Sequence, residues 1–263
     1  MKVLTTAQLQ EVAPSIFATK AHSSRSERYA YCSTIDVLAY LRKHADLVPV
    51  QAFQSRVHKD KTRVKFTKHL VRLRERKYID MEMKPNTLVP EVVLTNGHDG
   101  SSCFQLEAGI FRFICSNGLV VKSSDFASLR VYHSGKVRDK VNEAVAQIGE
   151  SFPNLMRVTK EWDAIKLTQR QRINFAKEAL AIRFHGIPPI TTEQALEVRR
   201  NEDEAPTLWR TFNVLQENLL MGGIQGARPS GRRVTVRAVT SVNNSLHHNR
   251  GLWQLAEAVA SRN

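Results

Sequence analysis

The hydrophobic period of this chain switches from strand-like to helical near residue 137, and that switch limits the folds open to it. Between residues 48 and 133 apolar residues come in short, partly alternating runs, the period-two mark of strands; from residue 137 onward they recur every three or four positions, the mark of helices. Residues 48–58 (VPVQAFQSRVH) read as a strand with Pro49 near its start, where a missing N–H is tolerated. Residues 68–74 partly alternate, and 91–95 and 103–107 flank the loop NGHDGSS. Residues 110–115 and 119–121 flank Asn117-Gly118, a strong hairpin-turn dipeptide. Ahead of this region a short helix over 5–13 is capped by Thr5 or Thr6 and stopped by Pro14, and a second begins at Thr34 with Ile35, Leu38 and Leu41 on one face.

The second half is helical. Val137, Val141, Ala144, Val145 and Ile148 share a face; Thr168 caps a helix running to about Phe184; Thr207 caps another with Leu208, Phe212, Leu215 and Leu219 inward. A final helix spans about Leu246 to Ala260. The pattern predicts an α+β fold, with residues 1–136 strand-rich and 137–263 helical, the two parts packed as one unit.

Charge then points to a partner. Of 263 residues, 39 are Lys or Arg and 25 are Asp or Glu, a formal charge of +14. Such an excess attracts polyanions, and nucleic acid is the expected one. Residues 56–77 hold ten Lys or Arg against Asp60 and Glu75. On an extended strand Lys68, Arg72, Arg74 and Arg76 fall on one side at about 6.6–7 Å, near the phosphate separation of an extended single strand. With Arg56, Lys65 and Lys77 they form the first candidate interface; the alternative is a solvated edge strand guarded by lysines. Residues 226–240 (GARPSGRRVTVRAVT) form the second, carrying Arg228, Arg232, Arg233 and Arg237 and no acid. Arginine forks fit phosphate oxygens bidentately, so this segment reads as a mobile loop that a polyanion orders, or as a flexible connector. Arg25 and Arg28 beside Tyr29 and Tyr31 form a third, an aromatic-basic patch, against the alternative of a partly buried tyrosine pair. Phe104, Phe111 and Phe113 read as core, with Arg112 exposed.

Signs of catalysis are sparse. His98 beside Asp99 and two serines invites a catalytic reading, but no second acid–base partner stands at informative spacing, and a loop closed by Asx-type hydrogen bonds explains the same residues. No Walker-type loop and no acidic cluster for magnesium occurs, and adjacent His247 and His248 point about 100° apart on a helix, so no cofactor, no metal and no enzyme are expected. Cys32, Cys103 and Cys115 are too dispersed for a disulfide framework or a zinc knuckle. No stretch is apolar enough to span a membrane and no apolar leader is evident, which predicts a cytoplasmic protein.

The blocks PSIFATKAHSSRSERYAY (14–31), EVVLTNGHDGSSCFQL (91–106), FRFICSNGLVV (111–121) and WRTFNVLQENLLMGG (209–223), with GLWQLAEAV near the end, resemble a family of proteins of unknown function found in bacterial prophages and conjugative plasmids, the YafZ/YubP-like proteins. The resemblance covers nearly the whole chain and brings no catalytic residues with it. It implies a mobile-element setting, where proteins commonly handle DNA. Charge and setting together predict a homo-oligomeric protein that binds single-stranded DNA and anneals complementary strands in recombination. The alternative is an interaction protein whose basic face binds a host defence or replication protein.

Overall fold

A computed structural model describes residues 2–27, 29, 31–57, 60–82, 87–112, 117–120, 128–131 and 137–263; of these, 117–120, 128–131, 137–139 and 142 are described by backbone alone. The architecture is α+β. Helices α1 (Thr6–Val12) and α2 (Thr34–Ala45) precede strands β1 (Leu47–Gln54), β2 (His69–Glu75), β3 (Leu88–Asn96), β4 (Phe104–Arg112), β5 (Asn117–Val120) and β6 (Ser128–Val131). Helices α3 (Val137–Ala164), α4 (Gln169–Arg183), α5 (Thr192–Ala195) and α6 (Leu208–Met221) follow, then a hairpin of β7 (Gln225–Ala227) and β8 (Arg233–Thr235), and finally α7 (Val242–Ala260).

Helix starts sit where capping chemistry puts them. Thr5 with Gln8 and Thr168 with Gln171 form reciprocal capping boxes, and Ser33 and Thr207 accept a backbone N–H at the starts of α2 and α6. The main sheet is antiparallel in the order β1-β2-β3-β4, and β5 and β6 both pair with β4, at Gly109–Arg112 and Phe104–Glu107 respectively. Residues 104–112 thus form one long strand where the sequence suggested two. Asn117 and Gly118 are strand residues opposite Arg112 and Phe111, not the centre of a turn. Pro49 lies on the edge strand next to a register shift, and its carbonyl accepts the Leu4 N–H at 2.8 Å.

The two faces of the sheet are chemically different. Val71, Leu73, Val92, Leu94, Leu106, Ala108 and Ile110 alternate onto one face and join a single apolar core with Val37 and Leu41 of α2 and Val141 and Ile148 of α3. That core runs on through Trp162, Trp209, Phe212 and Trp253, whose rings pack with centroids 4.5–6.4 Å apart. The opposite face carries Leu70, Arg72, Arg74, Glu91, Val93, Glu107 and Phe111, and α7 covers part of it by packing Val242 and Leu246 against Leu70 and Val93.

Charge on this second face is buried and paired. Arg72 and Arg74 are each 4% exposed and Glu91 is 0% exposed. Arg72 Nη1 donates to Glu91 Oε2 at 2.8 Å, Arg74 Nε donates to Glu91 Oε1 at 2.6 Å, and the Arg74 guanidinium lies 3.5 Å from the centroid of Phe111. Arg250 of α7 donates to Glu107 on the same face. Arg112, expected to be exposed, is buried and donates through both Nη groups to Asp203 at 3.0 and 2.6 Å. Desolvating a guanidinium is tolerable only with such a partner.

Removing Glu91 would leave two buried cations facing each other. Glu91→Gln is expected to lower unfolding stability by about 3–5 kcal/mol, the usual cost of breaking a buried pair. Urea denaturation of the variant checks this; a loss under about 0.5 kcal/mol would mean that the pairs do not matter to the fold.

Candidate nucleic-acid interface

Among the described residues the basic run over 56–77 does not form one continuous surface, because its strand arginines turn inward. Arg72 and Arg74 are spent on Glu91 inside the molecule. Strand β2 ends at Glu75, so Arg76 and Lys77 sit in the 3-10 turn Arg76–Tyr78 and pair with Asp46 and Glu75. Lys65 is exposed at the end of another such turn, Lys61–Lys65, where Arg63 pairs with Asp60. Arg56 is exposed just past β1, and Lys68 is half-buried just before β2. The face expected to bind phosphates is therefore an interior one, because the neighbouring strand supplies the acid.

The two tyrosines of the aromatic-basic patch are the partly buried pair given as its alternative. Tyr29 donates its hydroxyl to the Gly97 carbonyl at 2.9 Å and Tyr31 to that of Ala18, so both rings brace loops. Arg25 is exposed and lies over Gly100, where an added Cβ would come within 2.3 Å of its guanidinium. Arg28 and Phe113 lie outside the described residues.

The second candidate keeps its charge. Residues 226–240, read as a mobile loop or connector, contain most of a two-stranded hairpin with Gln225 opposite Thr235 and Ala227 opposite Arg233. The Arg228 N–H donates to the Arg232 carbonyl and the Gly231 N–H to the Arg228 carbonyl, closing the tip, with Gly231 at φ +79° as such a turn requires. Arg228, Arg232, Arg233 and Arg237 are all exposed, and none is in an ion pair among the described residues.

Main-chain bonds fix the hairpin to the helical half. Ala227 N–H donates to the Pro189 carbonyl at 2.8 Å, Gln194 Nε2 to the Gln225 carbonyl at 2.9 Å, and Gly223 N–H to the Val236 carbonyl at 2.8 Å. Arg183 donates to the carbonyls of both Leu219 and Arg237 at 3.1 Å, stapling the end of α6 to the hairpin's outgoing strand. Gly226 is needed for the closest approach: an added Cβ would lie 2.0 Å from the Pro189 oxygen.

Between hairpin and body runs an open cleft of about 800 Å³. Phe184, Ile187, Pro189 and Val234 supply the apolar part of its lining, here called the floor, and the four arginines the basic part; among the described residues no carboxylate lines it. Ile187 is 74% exposed, a large apolar side chain left in solvent. Arg183 also lies 5.2 Å from the Phe184 ring. The arrangement can hold a flat apolar group on the floor while arginine forks take phosphate oxygens at the rim. Sequence reasoning missed the floor; its one signal was Ile187 set between Gly186 and the pair Pro188-Pro189, where it cannot join a helix face.

The His98 loop is structural in geometry. Asp99 Oδ1 accepts from Ser101 N–H at 3.0 Å and Ser101 Oγ at 2.5 Å, an Asx turn, and His98 is fully buried. His98 belongs to a polar knot with His69. The Ser15 hydroxyl lies 2.8 Å from His69 Nδ1, the Thr34 hydroxyl lies 2.9 Å from His69 Nε2, and Asn96 donates to Thr34 Oγ1 at 3.0 Å. The knot ties the turn after α1 and the start of α2 to β2 and β3. Burial, then the neighbouring His98, pushes the His69 pKa down to about 3, so the ring is neutral. Burial with nearby Asp36 pushes the Cys32 thiol up to about 11, away from thiolate chemistry. Among the described residues no group of three or more His, Cys, Asp or Glu side chains could hold a metal ion, and no helix is long and apolar enough to cross a membrane.

Residues 21–253 match the family described as "Domain of unknown function (DUF932)", and the chain belongs to that family. It is 38% identical over 260 residues to UPF0380 protein YafZ of Escherichia coli (strain K12), covering 98% of this chain and 92% of that protein. UPF0380 protein YfjQ of the same organism is 37% identical over the same shares. No solved structure matches the chain.

Two outcomes follow from this geometry. His69 has a folded pKa below its unfolded value of about 6.5, so its contribution is fully present above that pH and fades as pH falls toward 3. Unfolding free energy should therefore drop below pH 6.5 by up to about 1.4 kcal/mol per pH unit from this group. His69→Gln should flatten that slope, and an equal slope in both proteins would contradict the assignment. Gly226→Val should push the hairpin from Pro189, with the Ala227 amide exchanging roughly tenfold faster in hydrogen–deuterium exchange; unchanged protection would mean that the close approach is not needed.

Proposed function

We propose that the protein binds nucleic acid through the arginine hairpin, with single-stranded DNA the preferred polymer. The observation that carries the reading is one cleft in which four exposed arginines, without an ion pair or a lining carboxylate among the described residues, stand beside an apolar floor. Unpaired bases offer apolar faces that duplex stacking would hide, and phosphates offer the oxygens that arginine takes bidentately. The net charge of +14 supports this, since it draws a polyanion toward the cleft. A prophage or plasmid setting, which the family resemblance implies, makes DNA the polymer at hand. Annealing of complementary strands by several copies on one strand extends the reading, and an annealing assay with light scattering examines that extension.

The test is binding to matched single- and double-stranded oligonucleotides over a range of salt. Arg232→Gln/Arg233→Gln should weaken single-strand binding by about tenfold or more. It should also reduce the slope of log affinity against log salt by about 1.4, the share of two phosphate contacts on a single strand. The thermal midpoint should stay the same, because neither side chain has an ion pair among the described residues to lose. Equal affinity for duplex would overturn the single-strand part. Unchanged affinity in the double variant would remove the hairpin from the site, and a stoichiometric acidic protein recovered without nucleic acid would favour a protein partner.

A further inference from the structure

A groove runs between α1, α2 and the start of β1, with a volume of about 750 Å³. Leu4, Leu9, Ile35, Leu38, Val48 and Pro49 give it an aliphatic lining, with Thr5 and Thr6 as a polar part. Leu4, Ile35 and Pro49 are only half-buried, so apolar surface is left facing solvent. The bond from the Leu4 N–H to the Pro49 carbonyl holds the segment ahead of α1 against β1 as one wall.

Helix α2 adds charge at one end. Ile35, Leu38, Ala39, Arg42 and Lys43 recur at helical spacing and line the groove together. Arg42 and Lys43 stand in the last turn, both exposed and neither in an ion pair among the described residues. A helix C-terminus favours cations by itself. Here they also close an apolar channel that, among the described residues, no carboxylate lines. The neighbouring acids are placed elsewhere: Asp36 of α2 lines a separate recess with Tyr31 and Tyr40, and Asp46 holds Arg76.

The lining selects the chemistry of an occupant. Among the described residues no aromatic side chain lines the groove, so a base finds no ring to stack on, in contrast to Phe184 in the hairpin cleft. Aliphatic walls suit the leucine or isoleucine side chains of a peptide, and a guanidinium beside an ammonium suits its carboxylates. From Ile35 to Lys43 the helix rises about 12 Å, the span of about four extended residues.

We propose that this groove docks a short acidic segment of a partner protein, its aliphatic side chains along α2 and its carboxylates on Arg42 and Lys43. The groove shares no residue with the cleft of the arginine hairpin. One molecule then holds nucleic acid at one place and a protein at the other, and neither reading depends on the other.

The test is an array of peptides of about eight residues built from Asp, Glu, Leu and Ile, set against a matched array with Asn and Gln in place of the acids. The intact protein should hold members of the acidic array only, and fluorescence anisotropy of the tightest, carrying fluorescein, gives its affinity. Arg42→Gln/Lys43→Gln should weaken that affinity about tenfold or more, the worth of one charge-assisted bond. Ala39→Glu should weaken it as much, whereas Ala39→Lys should keep or raise it; position 39 is exposed, so this pair separates charge from bulk without disturbing the core. Arg232→Gln/Arg233→Gln should leave it unchanged, which sets the groove apart from general attraction to a chain of charge +14. No preference for the acidic array, unchanged affinity in Arg42→Gln/Lys43→Gln, or an equal loss in the hairpin variant overturns the proposal. Loss of single-strand binding in Arg42→Gln/Lys43→Gln with the peptide still held would give the groove to nucleic acid and overturn it too. A fall in sedimenting mass in Ala39→Glu, with no peptide bound by the unmodified protein, would put a second copy of the chain there instead.

Discussion

Glu91 is the residue on which the charge distribution of this molecule turns. It stands in β3 between Pro90 and Val92, has no exposure, and holds a guanidinium on each carboxylate oxygen. With that one acid in place the second face of the sheet can be covered although it carries two arginines. Without it the same face would repel α7 and demand solvent, because an unpaired buried cation costs several kcal/mol. Arg250 with Glu107 repeats the arrangement one strand over and ties the helix itself to the face it covers.

The consequence is a sorting of the basic residues into two kinds. Arginines inside the molecule are structural: Arg72 and Arg74 share Glu91, Arg112 holds Asp203, half-buried Arg200 pairs with Glu217 at 2.5 Å, and Arg183 bonds to main-chain carbonyls. Arginines on the hairpin have no carboxylate partner among the described residues and stand in solvent. A net charge of +14 therefore understates how local the free charge is. The hairpin is a fixed presenter of that charge, since main-chain carbonyls such as those of Pro189, Gln225, Val236 and Arg237 accept the bonds that hold it.

Much of the fold could be read from the chain. The switch of period at residue 137 marked the boundary between strands and helices, and Thr5, Thr168 and Thr207 marked helix starts that the structure keeps. The α+β class followed from those signals alone. What failed was register. The alternation of Lys68, Arg72 and Arg74 was real, but which strand lies beside it depends on pairing over a separation of 17 and 19 residues, which no local pattern records. The hint was there in Glu91 and Glu107, single acids inside apolar strands. The hairpin strands were missed because each has only three residues and is held by backbone bonds, which leave no trace in side-chain periodicity. Of the candidate site residues, the four hairpin arginines were named from sequence, whereas their apolar floor lies 39 residues or more upstream at Phe184, Ile187 and Pro189 and was joined to them only by folding.

Photo-cross-linking of a single-stranded oligonucleotide bearing a photoreactive base, followed by peptide mapping, examines the central claim most directly. The account predicts adducts on the segment 184–189 and on the hairpin 225–237, with none on the buried arginines of β2. Adducts concentrated on residues 69–75, or absent from the hairpin while the strand is bound, would show that the sorting of charge described above is wrong.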